Sequence, residues 1–148
     1  MRILILLACC LLLSTQCASK KSARIEALAN DTIEFVYKKH TRGFYREYHV
    51  RKNNIITYLD YNKTTSESKK TIPLDWVTCL NLLTPLDLEG ISTLQPPSDL
   101  RATDRVLHAE VIITINDNTF RSSNFDHGNP PEIIKPLVDH LIYMVSNH

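Results

Sequence analysis

Polar and apolar residues alternate with a period of two in several segments, which is the pattern of half-buried β-strands. Phe35 and Tyr37 share one face of the first of these segments, and Gly43 lies in the turn that follows it. Such segments bounded by glycine and asparagine predict an antiparallel meander. The predicted strands are residues 32–37, 44–50 and 55–61. The polar residues 62–70 are predicted to form a mobile tip.

Apolar residues recur at helical spacing in two later segments. The first helix is predicted to begin at Pro73, because proline suits the first helical position, and to end before Pro85. Its apolar stripe is Trp76, Val77, Leu80 and Leu83. The second helix covers residues 134–145, and Pro136 predicts either a kink or a start near Lys135.

Two more strands are predicted between these helices, at residues 107–115 and 119–125. They follow residues 85–105, a stretch with no clear periodicity; long connections of this kind are often functional or mobile. Together these elements predict an α+β domain. We expect a five-stranded, mostly antiparallel sheet in the order β-β-β-α-β-β-α, with both helices packed on one face.

The N-terminus has a different pattern. After Arg2, residues 3–13 form an unbroken apolar run, and a short polar break precedes Cys17. A run of this length suits the apolar core of an export signal and is too short to span a bilayer. An ordinary secretory signal, cut near Ala18 or Ser19, is the alternative and would release a soluble protein.

The N-terminal pattern resembles the signal of bacterial lipoproteins, in which the cysteine becomes the mature N-terminus and carries acyl chains. The resemblance implies a signal in residues 1–16 and a tether in residues 17–30, and the pattern of the remaining residues predicts a single α+β domain in residues 31–148. It also implies lipidation at Cys17 and attachment to a bacterial membrane, with the domain in the periplasm or at the cell surface.

The mature chain resembles small bacterial lipoproteins to which no activity is attached. These share an Arg-Gly turn, a tryptophan-bearing helix and an FDHGNPP-like junction before the last helix. The matching residues are Arg42-Gly43, Trp76 and residues 125–131. The resemblance implies a location and a fold but no substrate.

The net charge and the cysteine content of the chain exclude several classes of function and site. The chain has 17 basic and 16 acidic residues, so loss of Arg2 with the signal leaves the two in balance. That balance argues against a nucleic-acid partner, which requires a basic face. Only Cys79 lies beyond Cys17, which excludes a disulfide framework and a cysteine zinc site in the domain.

The junction before the last helix carries the most suggestive side chains. Asp126, His127 and Asn129 place a carboxylate, an imidazole and an amide within four positions, and they are candidates for binding a ligand. Asp126 or Asn129 can equally cap the following helix while Gly128 shapes the turn. We favour this structural interpretation.

Three arginines in predicted loops, Arg42, Arg101 and Arg105, are candidates for gripping a carboxylate or phosphate. The alternative, which we also favour, is that each pairs with a neighbouring acid such as Asp99 or Asp104.

A metal site is conceivable at His108, Glu110 and His127. His108 and Glu110 share one face of a predicted strand, and the hairpin can bring His127 near them. No histidine pair has the spacing of a specific metal motif, and no cofactor is predicted.

Two function classes follow from the sequence. The first is a non-enzymatic, membrane-anchored module of the cell envelope that binds a protein, peptide or glycan, or inhibits a secreted enzyme. The second is a small metal-assisted hydrolase that uses the region of His108 and His127. The lack of a catalytic motif favours the first.

Overall fold

The computed structural model of the protein describes residues 25–28 and 30–146. The chain divides after Asp31 into two units, and residues 25–28 of the first unit are helical. Cys17, the predicted signal and much of the predicted tether lie outside the described residues.

The second unit is an α+β domain built on an antiparallel sheet, as predicted. The strands are β1 (Ile33–Thr41), β2 (Phe44–Arg51), β3 (Asn54–Tyr58), β4 (Ser66–Lys70), β5 (His108–Ile115), β6 (Asn118–Arg121) and β7 (Phe125–Asp126). The helices of this unit are α1 (Pro73–Leu83) and α2 (Lys135–Ser146). Across the sheet the strands lie in the order β4-β3-β2-β1-β5-β6, and β7 pairs with β5 beyond the end of β6.

The core contains buried side chains of the central strands and of both helices. Phe35 and Tyr37 of β1 are fully buried, and the Phe35 ring meets the Trp76 ring of α1 edge-on at 5.7 Å. The two helices contact each other through Cys79 and Met144, whose sulfur atoms are 3.5 Å apart. Burial raises the pKa of the Cys79 thiol to about 12, so Cys79 is a small core residue rather than a nucleophile.

The predicted strand count was wrong, because the described sheet has seven strands rather than five. One of the added strands is β4, which pairs with β3 along its whole length and lies in the segment predicted as a mobile tip. Ser66–Lys70 has no apolar residue, so its sequence carries no alternation. Backbone pairing at a sheet edge needs no buried side chain, and hydrophobic periodicity cannot detect such a strand.

The last predicted strand is broken into β6 and β7 at Ser122. The Val111 backbone N–H donates to Ser122 Oγ at 3.0 Å, and the Ser122 N–H donates to the Val111 carbonyl at 2.9 Å. A side-chain oxygen thus replaces a backbone carbonyl in the ladder. The next residue, Ser123, turns to the long connection instead, with its hydroxyl donating to the Leu94 carbonyl at 2.5 Å.

Both helix starts agree with the sequence. Helix α1 begins at Pro73, and α2 begins at Lys135, so Pro136 lies in the first turn and breaks no helical hydrogen bond. The long connection after α1 contains two short 3-10 turns, Ile91–Thr93 and Leu100–Thr103.

Candidate functional site

Asp126 fastens the long connection to the sheet. Its carboxylate, only 2% exposed, accepts hydrogen bonds from the backbone N–H groups of Leu100 at 2.8 Å and Arg101 at 3.0 Å. Ser98 Oγ donates to it at 2.5 Å and Arg101 Nη1 at 3.2 Å. The N–H groups belong to the start of the 3-10 turn Leu100–Thr103, so Asp126 caps that turn from a distant part of the chain.

These contacts determine the charge of Asp126. Burial alone raises the pKa of the carboxyl group, but the hydrogen bonds from Ser98, Arg101 and Leu100 outweigh it and lower the pKa to about 2. Asp126 is therefore ionised at neutral pH and satisfied by protein donors.

The other two residues of the predicted ligand group also make internal contacts. Asn129 Nδ2 donates to Ser98 Oγ at 2.7 Å, and His127 Nδ1 lies 2.6 Å from the Tyr37 hydroxyl. The structure thus shows a fastening role for Asp126 and Asn129. The cap is formed on the turn Leu100–Thr103, however, and not on α2 as expected.

The three candidate arginines do not share one partner among the described contacts. Arg101 pairs with Asp99 at 3.0 Å and with Asp126 at 3.2 Å, which fits the favoured ion-pair interpretation. Arg42 lies in the β1–β2 turn and lines a depression together with Asp104. Arg105 is an exposed residue of the long connection.

The predicted metal trio is not brought together. Glu110 is paired with Lys38 at 3.1 Å and with Arg121 at 2.5 Å, while His127 contacts Tyr37, a core residue. His108 lies opposite His40, whereas Tyr37, the partner of His127, lies on the other face of the same strand. Within the part of the chain that the structure describes, no three histidine, cysteine or acidic residues are grouped to hold a metal.

The sheet face opposite Trp76 carries a polar network centred on Glu47. This buried carboxylate accepts hydrogen bonds from Lys63 at 2.7 Å and from the Tyr45 hydroxyl, and it lies 2.6 Å from His49 Nε2. Burial alone raises the pKa of Glu47, but these partners lower it to about 2. On its other side, His49 Nδ1 meets Glu34 at 3.0 Å.

One end of this face forms a surface that we call the His–Tyr shelf, defined by His40, Tyr61 and His108. The two imidazoles are directly opposite on β1 and β5 and stack with ring centres 5.3 Å apart and planes 9° apart. Tyr61, 57% exposed, lies 6.2 Å from His40 and packs on Tyr45 with ring centres 4.3 Å apart.

A depression of about 260 Å³ lies at the shelf, lined by the three shelf residues and by Thr41, Arg42 and Asp104. Burial, together with the charges of His108 and Lys38, lowers the pKa of His40 below its ordinary value. Sequence reasoning did not single out Tyr61, which it placed at the end of the strand predicted at residues 55–61, whereas β3 ends at Tyr58. Alternation along the strands indicates on which face of the sheet His40 and His108 lie. The two histidines are adjacent, however, only because β1 pairs with β5.

A larger depression of about 420 Å³ lies beside β3 and β4 on the helix side of the sheet. Its two cations are used internally: Arg46 donates to the Tyr45 and Leu59 carbonyls, and Lys69 to the Met144 and Val145 carbonyls. Lys69 thus ties β4 to α2, and both sets of contacts favour a structural role for this region.

No protein-family model matches the chain, and no curated protein matches it in sequence. Among the described helices, none has the length and apolar character needed to cross a membrane.

Proposed function

We propose that the protein is a cell-envelope lipoprotein, anchored to a bacterial membrane through Cys17, whose domain is a non-enzymatic binding or inhibitory module. In this proposal both helices pack on one face of the sheet, and the His–Tyr shelf on the other face takes the ligand. The anchor rests on the sequence pattern that ends at Cys17. Several acyl chains hold a domain at a membrane, since each buried methylene contributes about 0.8 kcal/mol.

The observation that supports binding over catalysis is the state of the candidate catalytic groups. Asp126 is satisfied by protein donors, Glu110 is held between Lys38 and Arg121, and Cys79 is buried in the core. In contrast, Tyr61 presents an exposed ring beside a depression. The alternative, a metal-assisted hydrolase, requires His108 and His127 to converge, and they lie on opposite faces of the sheet.

The anchor is tested by intact mass. The full-length gene is expressed in a Gram-negative bacterial host and the mature protein is extracted from membranes with detergent. We expect a mass that begins at Cys17 and includes a diacylglyceryl group and a further acyl chain. Cys17→Ser is expected to abolish the added mass, and Cys9→Ser serves as the matched control that retains it. An unmodified mass beginning near Ser19 or Lys20, found in the soluble fraction, would refute the anchor.

The binding function is tested by photocross-linking in cells. A benzophenone amino acid replaces Tyr61 on the shelf or, as the control, Tyr143 on α2, another tyrosine with an exposed ring, which is 47% accessible. We expect an adduct specific to position 61, whether its mass is that of a protein, a peptide or a glycan. Equal cross-linking from both positions, or none from position 61, would contradict a binding role for the shelf.

A further inference from the structure

Tyr61 is held as a rigid platform. Its ring packs on Tyr45 with centres 4.3 Å apart, and its hydroxyl donates to the Thr41 carbonyl at 3.1 Å. One side and one end of the ring are therefore supported, while 57% of the residue remains exposed. An aromatic side chain that is already ordered loses little conformational entropy when a ligand covers it.

The rim of the depression offers both donors and acceptors. Arg42 supplies N–H donors, Asp104 supplies acceptor oxygens, and the ring nitrogens of His40 and His108 can serve as donors or acceptors. Hydroxyl groups act as donor and acceptor at once, so they can pair with every member of this rim. The one guanidinium and one carboxylate balance in charge, which gives a fixed anion no net attraction.

The position of Asp104 is built into the fold. It follows the 3-10 turn that Asp126 caps, and its backbone has a left-handed conformation with φ of 55°, which aspartate tolerates better than most residues. The fastening of the long connection therefore brings an acidic side chain to the edge of the shelf.

From these observations we propose that the His–Tyr shelf binds a neutral sugar ring of a glycan, with Tyr61 stacked on the ring and the rim residues bonded to its hydroxyls. This inference rests on the proposed binding function and specifies its ligand. The C–H-rich face of a pyranose suits an aromatic platform. The depression of 260 Å³ is smaller than the about 300–1,000 Å³ of sites for drug-sized ligands, and it suits a single ring.

The experiment is saturation-transfer NMR on the mature protein with three neutral probes: N-acetylchitotriose, cellotriose and maltotriose. We expect at least one to receive saturation, most strongly at the ring protons of one sugar face. Tyr61→Ala is expected to weaken its binding about tenfold, while Tyr143→Ala leaves it unchanged. Tyr61→Phe retains the ring and should bind more tightly than Tyr61→Ala, which separates stacking from loss of the loop conformation.

Three results would overturn the proposal: no saturation of any probe at about 10 mM, transfer that Tyr61→Ala does not reduce, or displacement of the sugar by inorganic phosphate. The last would identify an anion site. A cross-link specific to position 61 that captures a protein or peptide, without a sugar signal, would remove the glycan and leave the proposed binding function intact.

Discussion

Asp126 is a buried charge whose partners come almost entirely from one turn of the long connection. Two backbone N–H groups, a serine hydroxyl and a guanidinium converge on its two oxygens. A carboxylate is well suited to this position because it only accepts hydrogen bonds, whereas an amide presents a donor as well. Because only donors converge on position 126, an aspartate fits this position better than an asparagine does.

We expect Asp126→Asn to reduce the free energy of unfolding by about 1–3 kcal/mol, because the amide N–H₂ must face one of the donors and leave it unpaired. Urea denaturation at neutral pH measures the change. Asp117→Asn in the exposed β5–β6 turn is the matched control, with little expected effect. A loss for Asp126→Asn no larger than that of the control would mean that the turn is held by other contacts.

The same variant tests the pH dependence. The folded-state pKa of Asp126, about 2, lies below the ordinary aspartate value of 3.8. Its stabilising contribution is therefore complete above the unfolded-state pKa and is lost as pH falls through the folded-state value. Between about pH 4 and pH 2 the stability of the Asp126→Asn variant should fall less steeply than that of the parent protein. Parallel slopes in this range would contradict the assignment.

At the scale of elements, the connection after α1 docks at the break between β6 and β7. Ser122 keeps the ladder with β5 through its side chain, and Ser123 is released to bond Ile91 and Leu94. In an antiparallel ladder the residue after a hydrogen-bonded pair directs its N–H away from the partner strand, so the N–H of Ser123 is available to the connection at the edge of the sheet.

We expect Ser122→Ala to lower the free energy of unfolding by about 1–3 kcal/mol, because it leaves the buried Val111 N–H without its acceptor. Ser66→Ala, in the exposed strand β4, is the matched control and should change stability by less than about 0.5 kcal/mol. Denaturant unfolding followed by circular dichroism measures both variants. If both variants lose the same small amount, the hydroxyl is not a necessary part of the ladder.

The elements differ in how far their sequences predicted them. Strands with one buried face, such as β1 and β5, and both helix starts follow from local patterns. Strand β4 carries no such pattern, and the break at Ser122 depends on a serine hydroxyl that pairs with a residue of another strand. Local periodicity contains no information on either feature.

At the scale of the whole domain, the candidate site depends on which strands are neighbours. Lys38 on β1 lies opposite both Glu47 on β2 and Glu110 on β5, and His40 lies opposite His108. Alternation along each strand predicts which residues share a face, but not that β1 lies between β2 and β5. The sequence contains the two histidines of the shelf but does not indicate that they are adjacent, so the shelf could not be predicted from it.

Strand β4 has a further consequence for contacts between copies of the protein. It ends the sheet, and its sequence Ser-Glu-Ser-Lys-Lys places charges along a backbone edge that has no neighbouring strand in the described fold. An incoming strand would have to desolvate these charges, which opposes edge-to-edge pairing. Copies at high local concentration would thereby be protected from polymerising through their sheets.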